Sequence, residues 1–368
     1  MKSGARKRTW RRGMAVLCGT AAAAAITLTV QPATATNAPE GDSMADAFTD
    51  AAEEYDVPRD LLVAVGYGET HLDGHNGEPS QDNGFGVMHL VSNPDRDSLG
   101  RASKITGESE TDLKRETRAN ILGGAAVLRA HADALGLDAA ERDELGKWYP
   151  AVARYGGAEN KQLAKFYADS AYEILADGVR GGTDGGDRVR TRARDVAPDR
   201  GGYADVPDLG TRSPDYPPAL WVPAHEANYA AGRSAAISQV VVHVTQGSYA
   251  GSISWFQNPE AEVSAHYVIR SADGEITQMV RDGDTAWHAR DANSSALGIE
   301  HEGFIDDPSW FTDAMYRSSA ALTKHLCDTH GIPKDREHIV GHSEVPGNDH
   351  TDPGPNWNWD TYMGYVNG

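Results

Sequence analysis

The sequence predicts a multidomain chain: an α-helical N-terminal domain at 40–180, a linker at 181–208, and an α/β C-terminal domain (mixed sheet with flanking helices) at 209–368. Three observations carry this reading. With 368 residues the chain is long enough for two hydrophobic cores. Apolar residues recur at helical spacing in the first part, whereas strand-length apolar runs alternate with helical ones in the second. Residues 181–208 are rich in Gly, Asp, Arg and Pro and nearly free of large apolar side chains.

In chain order, residues 1–35 read as an export signal. Lys2, Arg6, Lys7, Arg8, Arg11 and Arg12 form a basic head, 13–30 is apolar and alanine-rich, and Ala33-Thr34-Ala35 fits a small-residue cleavage site. The apolar run is near the lower limit for a membrane span, and the cleavage pattern favours removal, so the expectation is a secreted chain with no stable membrane insertion. Cys18 falls in the signal and Cys327 is left alone, which excludes an intramolecular disulfide in the mature protein.

From Ser43, a suitable N-cap, Met44, Phe48, Ala52 and Tyr55 follow helical spacing. Pro58 opens a second helix through the apolar run Leu61–Val65, closed by Glu69. The glycine-broken stretch 82–90 reads as a hairpin or loop, and helical periodicity returns over 120–135, 148–155 and 161–179. In the second domain 239–245 is an apolar strand containing His243, and 249–256 fits a short helix. Residues 263–270 and 275–280 flank the hairpin turn Ala272-Asp273-Gly274. A strand at 297–304 and an amphipathic helix at 311–330, ended by Gly331 and Pro333, complete the pattern.

The formal net charge of −20 becomes more negative once the basic head is removed. It argues against nucleic acid as a partner and against electrostatic adhesion to anionic polymers, because both need clustered Lys and Arg.

The chemistry concentrates in 341–359. This loop follows the apolar pair Ile339-Val340 and carries His342, His350 and Asp352. Pro346, Pro353 and Pro355 restrict φ while Gly347 and Gly354 allow tight bends, so the loop is stiff enough to hold ligands in advance of an ion. His243, late in its strand, is the best third ligand. His243, His342 and Asp352 together would give a three-ligand zinc site with an open fourth position, the arrangement used for catalysis. His338 and His342 have helical ligand spacing, but the residues between them read as strand, so the pair should diverge. Glu300 and Glu302 alternate onto one strand face, and periodicity does not choose between them.

The ordered set Val241-Val242-His243, Val263-Ser264-Ala265-His266-Tyr267, Ala286-Trp287-His288, Gly298-Ile299-Glu300, Gly341-His342-Ser343 and Thr351-Asp352-Pro353-Gly354-Pro355 resembles the zinc-dependent N-acetylmuramoyl-L-alanine amidases, related to phage-type amidases and peptidoglycan recognition proteins. The resemblance implies Zn2+ on His243, His342 and Asp352, and Glu300 as the catalytic glutamate. His350 stands where several relatives carry an oxyanion-stabilising lysine. The implied substrate is peptidoglycan, glycan strand and stem peptide, cleaved at the amide between N-acetylmuramic acid and L-alanine. A non-catalytic recognition module and a zinc peptidase acting on the stem peptide are the alternatives. His266, Trp287 and His288 read as groove or supporting residues, and Trp221 with Tyr229 as further groove aromatics.

In the first domain Glu69-Thr70, Gly84-Phe85-Gly86-Val87-Met88, Asn120-Ile121-Leu122-Gly123-Gly124 and Ala153-Arg154-Tyr155-Gly156-Gly157 are similar to the lysozyme-like fold of lytic transglycosylases and goose-type lysozymes. That likeness implies Glu69 as a general acid with its pKa raised by an apolar wall, and hence a second, glycosidic activity. Thr70 and His89 depart from the family's usual Ser and Gln. A helical wall-binding or spacer domain is the alternative.

Overall fold

A computed structural model describes residues 43–182, 188–347 and 349–368. The export signal read at 1–35 and Cys18 lie outside the described residues.

The helical half begins where Ser43 caps α1 (Met44–Tyr55), its hydroxyl accepting from the Asp46 N–H. Pro58 precedes α2 (Arg59–Thr70), which buries Leu61, Leu62, Val63, Ala64 and Val65 and carries Glu69 in its last turn. The stretch expected as hairpin or loop is a hairpin, β1 (Gly84–Phe85) against β2 (Leu90–Val91). Two short helices missed by periodicity follow, α3 (Ser98–Thr106) and α4 (Glu110–Arg115); α4 buries one residue, Leu113, too little for an apolar stripe to show. The longest helix of this half, α5 (Thr117–Leu135), packs on α1, α3 and α4. After α6 (Ala139–Arg142), which buries none of its residues, come α7 (Tyr149–Tyr155) and α8 (Lys161–Asp177), and these two join a core that includes Phe48, Leu61, Ile121, Leu128, Trp148 and Tyr155.

Of the stretch 181–208, expected as a linker, the described residues 181–182 and 188–208 lie against this half. A hairpin of β3 (Arg180–Gly182) and β4 (Arg188–Arg190) buries Val189 in the helical core. Further on, Arg194 pairs with Asp60, Asp199 with Lys147 and Arg200 with Asp169.

The second half is built on a mixed seven-stranded sheet. Its strands are β5 (Thr211–Arg212), β6 (Leu220–Trp221), β8 (Gln239–Val244), β9 (Tyr267–Ile269), β10 (Ile276–Gln278), β12 (Ala296–His301) and β13 (Ile339–Gly341), in the spatial order β13-β8-β12-β9-β10-β6-β5. A separate pair joins β7 (Tyr229–Ala230) to β11 (Thr285–Ala286). The four strands β13, β8, β12 and β9 run parallel, while β9 and β10 form the antiparallel hairpin expected from Ala272-Asp273-Gly274. Val240, Val242, Leu297 and Ile299 face α10 (Asp313–His330) and α11 (Trp359–Asn367) in one core. Helix α9 (Tyr249–Gln257) contributes Tyr249, Ile253 and Phe256 to another, which Leu163 of α8 also enters. That shared cluster knits the halves, and the described residues pack as one compact unit. Cys327 is a buried free thiol on α10. Among the described residues no helix is long and apolar enough to cross a membrane.

Candidate metal centre and cleft

The parallel register decides the site. Alternation along β8 sends Val240 and Val242 to the helix-packed core and leaves Val241 and His243 on the opposite face. Glu300 is the cross-strand partner of His243, and Gly341 pairs with Val242, so His342 emerges one residue beyond. Three adjacent parallel strands thus bring His342, His243 and Glu300 to their C-terminal ends, where open α/β sheets form their crevices. The loop that follows His342 folds back: the Ser343 N–H donates to the Asp352 carbonyl at 2.9 Å, and Asn356 Nδ2 donates to the Ile305 carbonyl at 2.8 Å.

The ligand atoms of His243, His342 and Asp352 lie within 4.8 Å of one another. His243 Nδ1 is 3.0 Å from His342 Nδ1 and 3.3 Å from Asp352 Oδ2, and His342 Nδ1 is 3.2 Å from Asp352 Oδ1. Two zinc bonds of about 2.0–2.1 Å at a tetrahedral angle would separate their ligand atoms by roughly 3.3 Å. The cluster therefore fits zinc in both spacing and donor type. Burial lowers the pKa of His243, more than Asp352 raises it, which leaves the imidazole neutral as a ligand must be. Burial alone would raise the carboxyl of Asp352, but His243 and His342 hold it below the usual carboxylate range.

His243 presents its other nitrogen to His288, Nε2 to Nδ1 at 2.9 Å, the kind of outer hydrogen bond that orients a metal-ligating imidazole. His288 in turn needs Gly298 beneath it: a Cβ there would lie 2.6 Å from the ring. His266 accepts from the Gly298 N–H at 3.0 Å and lies 2.6 Å from Arg233 Nη2, so it braces the strands and is no ligand. His338 is half-buried and paired with Asp335, away from His342, because residues 339–341 form a strand.

Glu300 and Glu302 separate in the tertiary structure. β12 ends at His301, and Glu302 accepts from the backbone N–H groups of Tyr249 and Ser271 at 2.8 and 2.7 Å. Glu300 instead lines a cavity of about 460 Å³ with His243, His342, His350 and Asp352. Burial, with Asp352 adding, pushes its carboxyl well above the ordinary range, and buried Oε2 has no hydrogen-bond partner among the described residues. His350 sits at the rim, its ring stacked on His342 at 4.2 Å between centroids. Trp287 and His288 line the cavity, whereas Trp221 and Tyr229 do not. Residues not singled out by the sequence also line it, among them Arg290, Asn293 and, from the helical half, residues 79–81.

Glu69 is elsewhere, and its surroundings correct the expectation of an apolar wall. It is 1% exposed; Tyr167 donates to Oε1 at 2.6 Å, Ser248 to Oε2 at 3.2 Å, and His89 Nδ1 lies 3.3 Å from Oε2. Burial would raise its pKa, but the neighbouring His89 outweighs that and the carboxyl is held low. A general acid needs the opposite shift.

The family model for N-acetylmuramoyl-L-alanine amidases matches residues 233–355. N-acetylmuramoyl-L-alanine amidase A of Achromobacter lyticus is 43% identical over 171 residues, covering 42% of this chain and 96% of that protein. The 1,6-anhydro-N-acetylmuramyl-L-alanine amidase AmpD of Haemophilus influenzae is 39% identical over 116 residues, covering 29% of this chain and 60% of its own length. A crystal structure of an AmpD derivative is 28% identical, covering 43% of this chain and 99% of that one, with a TM-score of 0.36.

Proposed function

From this chain's membership of the N-acetylmuramoyl-L-alanine amidase family, to which it belongs, we propose that it is a secreted peptidoglycan hydrolase that cleaves the amide between N-acetylmuramic acid and L-alanine, with Zn2+ held by His243, His342 and Asp352. The observation that carries the reading is the convergence of those three side chains at tetrahedral spacing beside Glu300 in one cleft. Zinc bound there supplies Lewis acidity and an acidified water.

The chain's own residues supply the proton traffic. Glu300 sits where it can take a proton from the attacking water and hand it to the leaving amine. Burial, with Asp352 adding, raises its pKa, the direction that helps a carboxylate hold the proton between the two transfers. His350, on the rim against His342, offers a ring N–H to the oxyanion that develops on the lactyl carbonyl. His288 holds the His243 ring from behind. The leader read at residues 1–35 would deliver the protein to the cell wall. A second, glycosidic activity would have to run on Glu69, and no feature of its sealed, ion-paired carboxyl favours one.

Mass spectrometry of products from purified peptidoglycan, for the zinc-loaded protein and for Glu300→Gln, tests the reading. Free stem peptides beginning with L-alanine, reduced about 100-fold or more in Glu300→Gln, are expected. Fragments cut within the stem would make the protein a peptidase, and binding without products a recognition module; either would overturn the amidase assignment.

A further inference from the structure

The amidase cleft is not built by the amidase half alone. Pro79, Ser80 and Gln81, between α2 and β1, line the same cavity as His243, Glu300 and Asp352. The Gln81 N–H donates to the Gln246 carbonyl at 3.2 Å, tying this loop to the segment that leaves β8. We propose that the helical half supplies one wall of the amidase cleft and that Gln81 is a substrate-binding residue in it, recognising an amide group of the muramoyl peptide. The proposal rests on the amidase reading above.

The loop is anchored by buried charge. Ser80 Oγ accepts from the Gly84 N–H at 2.8 Å, donates to Asp82 Oδ1 at 2.7 Å, and lies 2.8 Å from His89 Nε2. His89 stands between Asp82 at 3.1 Å and Glu69 at 3.3 Å, and Glu69 is joined to the amidase half through Ser248. Gly84 leaves the space for this, since a Cβ there would lie 2.2 Å from His89 Nε2. Ser80, His89 and Glu69 stand in the order of a nucleophile, base and acid. Yet His89 keeps its charge between two carboxylates, has no lone pair to offer, and faces a hydroxyl that already donates to Asp82. The network therefore holds a loop in place. The glutamate and the glycine-rich hairpin of the first domain gain a positioning role in the chemistry of the second.

Within the loop Gln81 is the side chain free to bind. It is exposed at the cavity, and its carboxamide makes no hydrogen bond with the described residues, whereas Gln246 Oε1 accepts from the Ile305 N–H at 2.9 Å. A carboxamide both donates and accepts, and so matches an amide in both directions. The substrate offers such groups in its stem peptide and in the acetamido groups of its sugars.

Steady-state kinetics of the zinc-loaded full chain, Gln81→Ala and Gln81→Glu test this on three soluble substrates: a muramoyl dipeptide, a muramoyl pentapeptide, and the pentapeptide carrying an added N-acetylglucosamine. Gln81→Glu keeps the shape and loses the N–H donors. Loss of one such hydrogen bond should raise KM about three- to tenfold with kcat within about twofold. An effect appearing with the pentapeptide assigns the contact to the stem, and one appearing with the added sugar assigns it to the glycan. Unchanged KM for both variants on all three substrates overturns the proposal, as does a fall in kcat with KM intact. If the unmodified protein releases peptide from none of them, the amidase reading itself fails.

Discussion

Gly298→Ala separates packing at the candidate metal centre from strand propensity, because the two predict opposite signs. Alanine in a strand interior is ordinarily more stable than glycine by about 0.5–1 kcal/mol. Here the added Cβ would lie 2.6 Å from Cγ and Nδ1 of His288 and 2.9 Å from Cδ2. Carbon atoms pack at about 3.5–4.0 Å, so the ring must retreat by roughly 1 Å or the strand must bend. Overpacking of this kind costs about 1–3 kcal/mol, enough to reverse the propensity gain. The His288–His243 hydrogen bond of 2.9 Å cannot absorb that displacement, and loss of such an outer partner lowers metal affinity about 10- to 100-fold. Urea denaturation of the metal-free protein reads the first effect, and competition with a chromogenic zinc chelator the second. In a His288→Ala background the clash is gone, and Gly298→Ala should cost less than about 1 kcal/mol. Wild-type zinc affinity in Gly298→Ala, or strict additivity of the two substitutions, would refute the reasoning.

Asp352→Ala removes the anionic ligand of the cluster; the expected result is loss of bound zinc by metal analysis together with loss of peptide release, and hydrolysis surviving without metal would sink the assigned chemistry. His342→Ala should behave alike. Stability should also fall at alkaline pH through His89. Burial alone would lower its pKa, but Asp82 and Glu69 outweigh burial and push it from 6.5 up to about 10. A pKa raised on folding contributes stability that is complete below the unfolded value and is lost as pH climbs through the folded one. The urea midpoint should therefore fall between pH 7 and pH 10, and less steeply in His89→Asn; equal slopes would show that the ion triad does not set it. Glu69→Gln leaves His89 with one carboxylate in a buried site, a change that typically costs about 3–5 kcal/mol, and denaturation curves should show it.

The amino-acid order by itself nominated most of the residues proposed to carry the chemistry. Helix starts at Ser43 and Pro58, the strand at 239–244 and the hairpin around Ala272-Asp273-Gly274 are local effects of capping, ring closure and turn geometry, and these are legible residue by residue. So is the choice of His243, His342 and Asp352 as candidate ligands, since donor type and a proline-stiffened loop are properties of the chain itself. Strands of two or three residues, such as β5, β6 and β7, are too short for alternation to register. Only the tertiary structure decided which neighbours those residues meet. Glu300 and Glu302 are equivalent by periodicity; parallel pairing puts one beside His243, and the end of β12 gives the other to backbone donors. Glu69 reads as a carboxyl on an apolar helix, yet Ser248, 179 residues away, and Tyr167 and His89 make its surroundings polar. Gln81 carries no sequence signal at all and joins the cleft because the two halves pack together. Proton affinity and membership of a cavity depend on groups distant in sequence, and only packing brings those groups within reach.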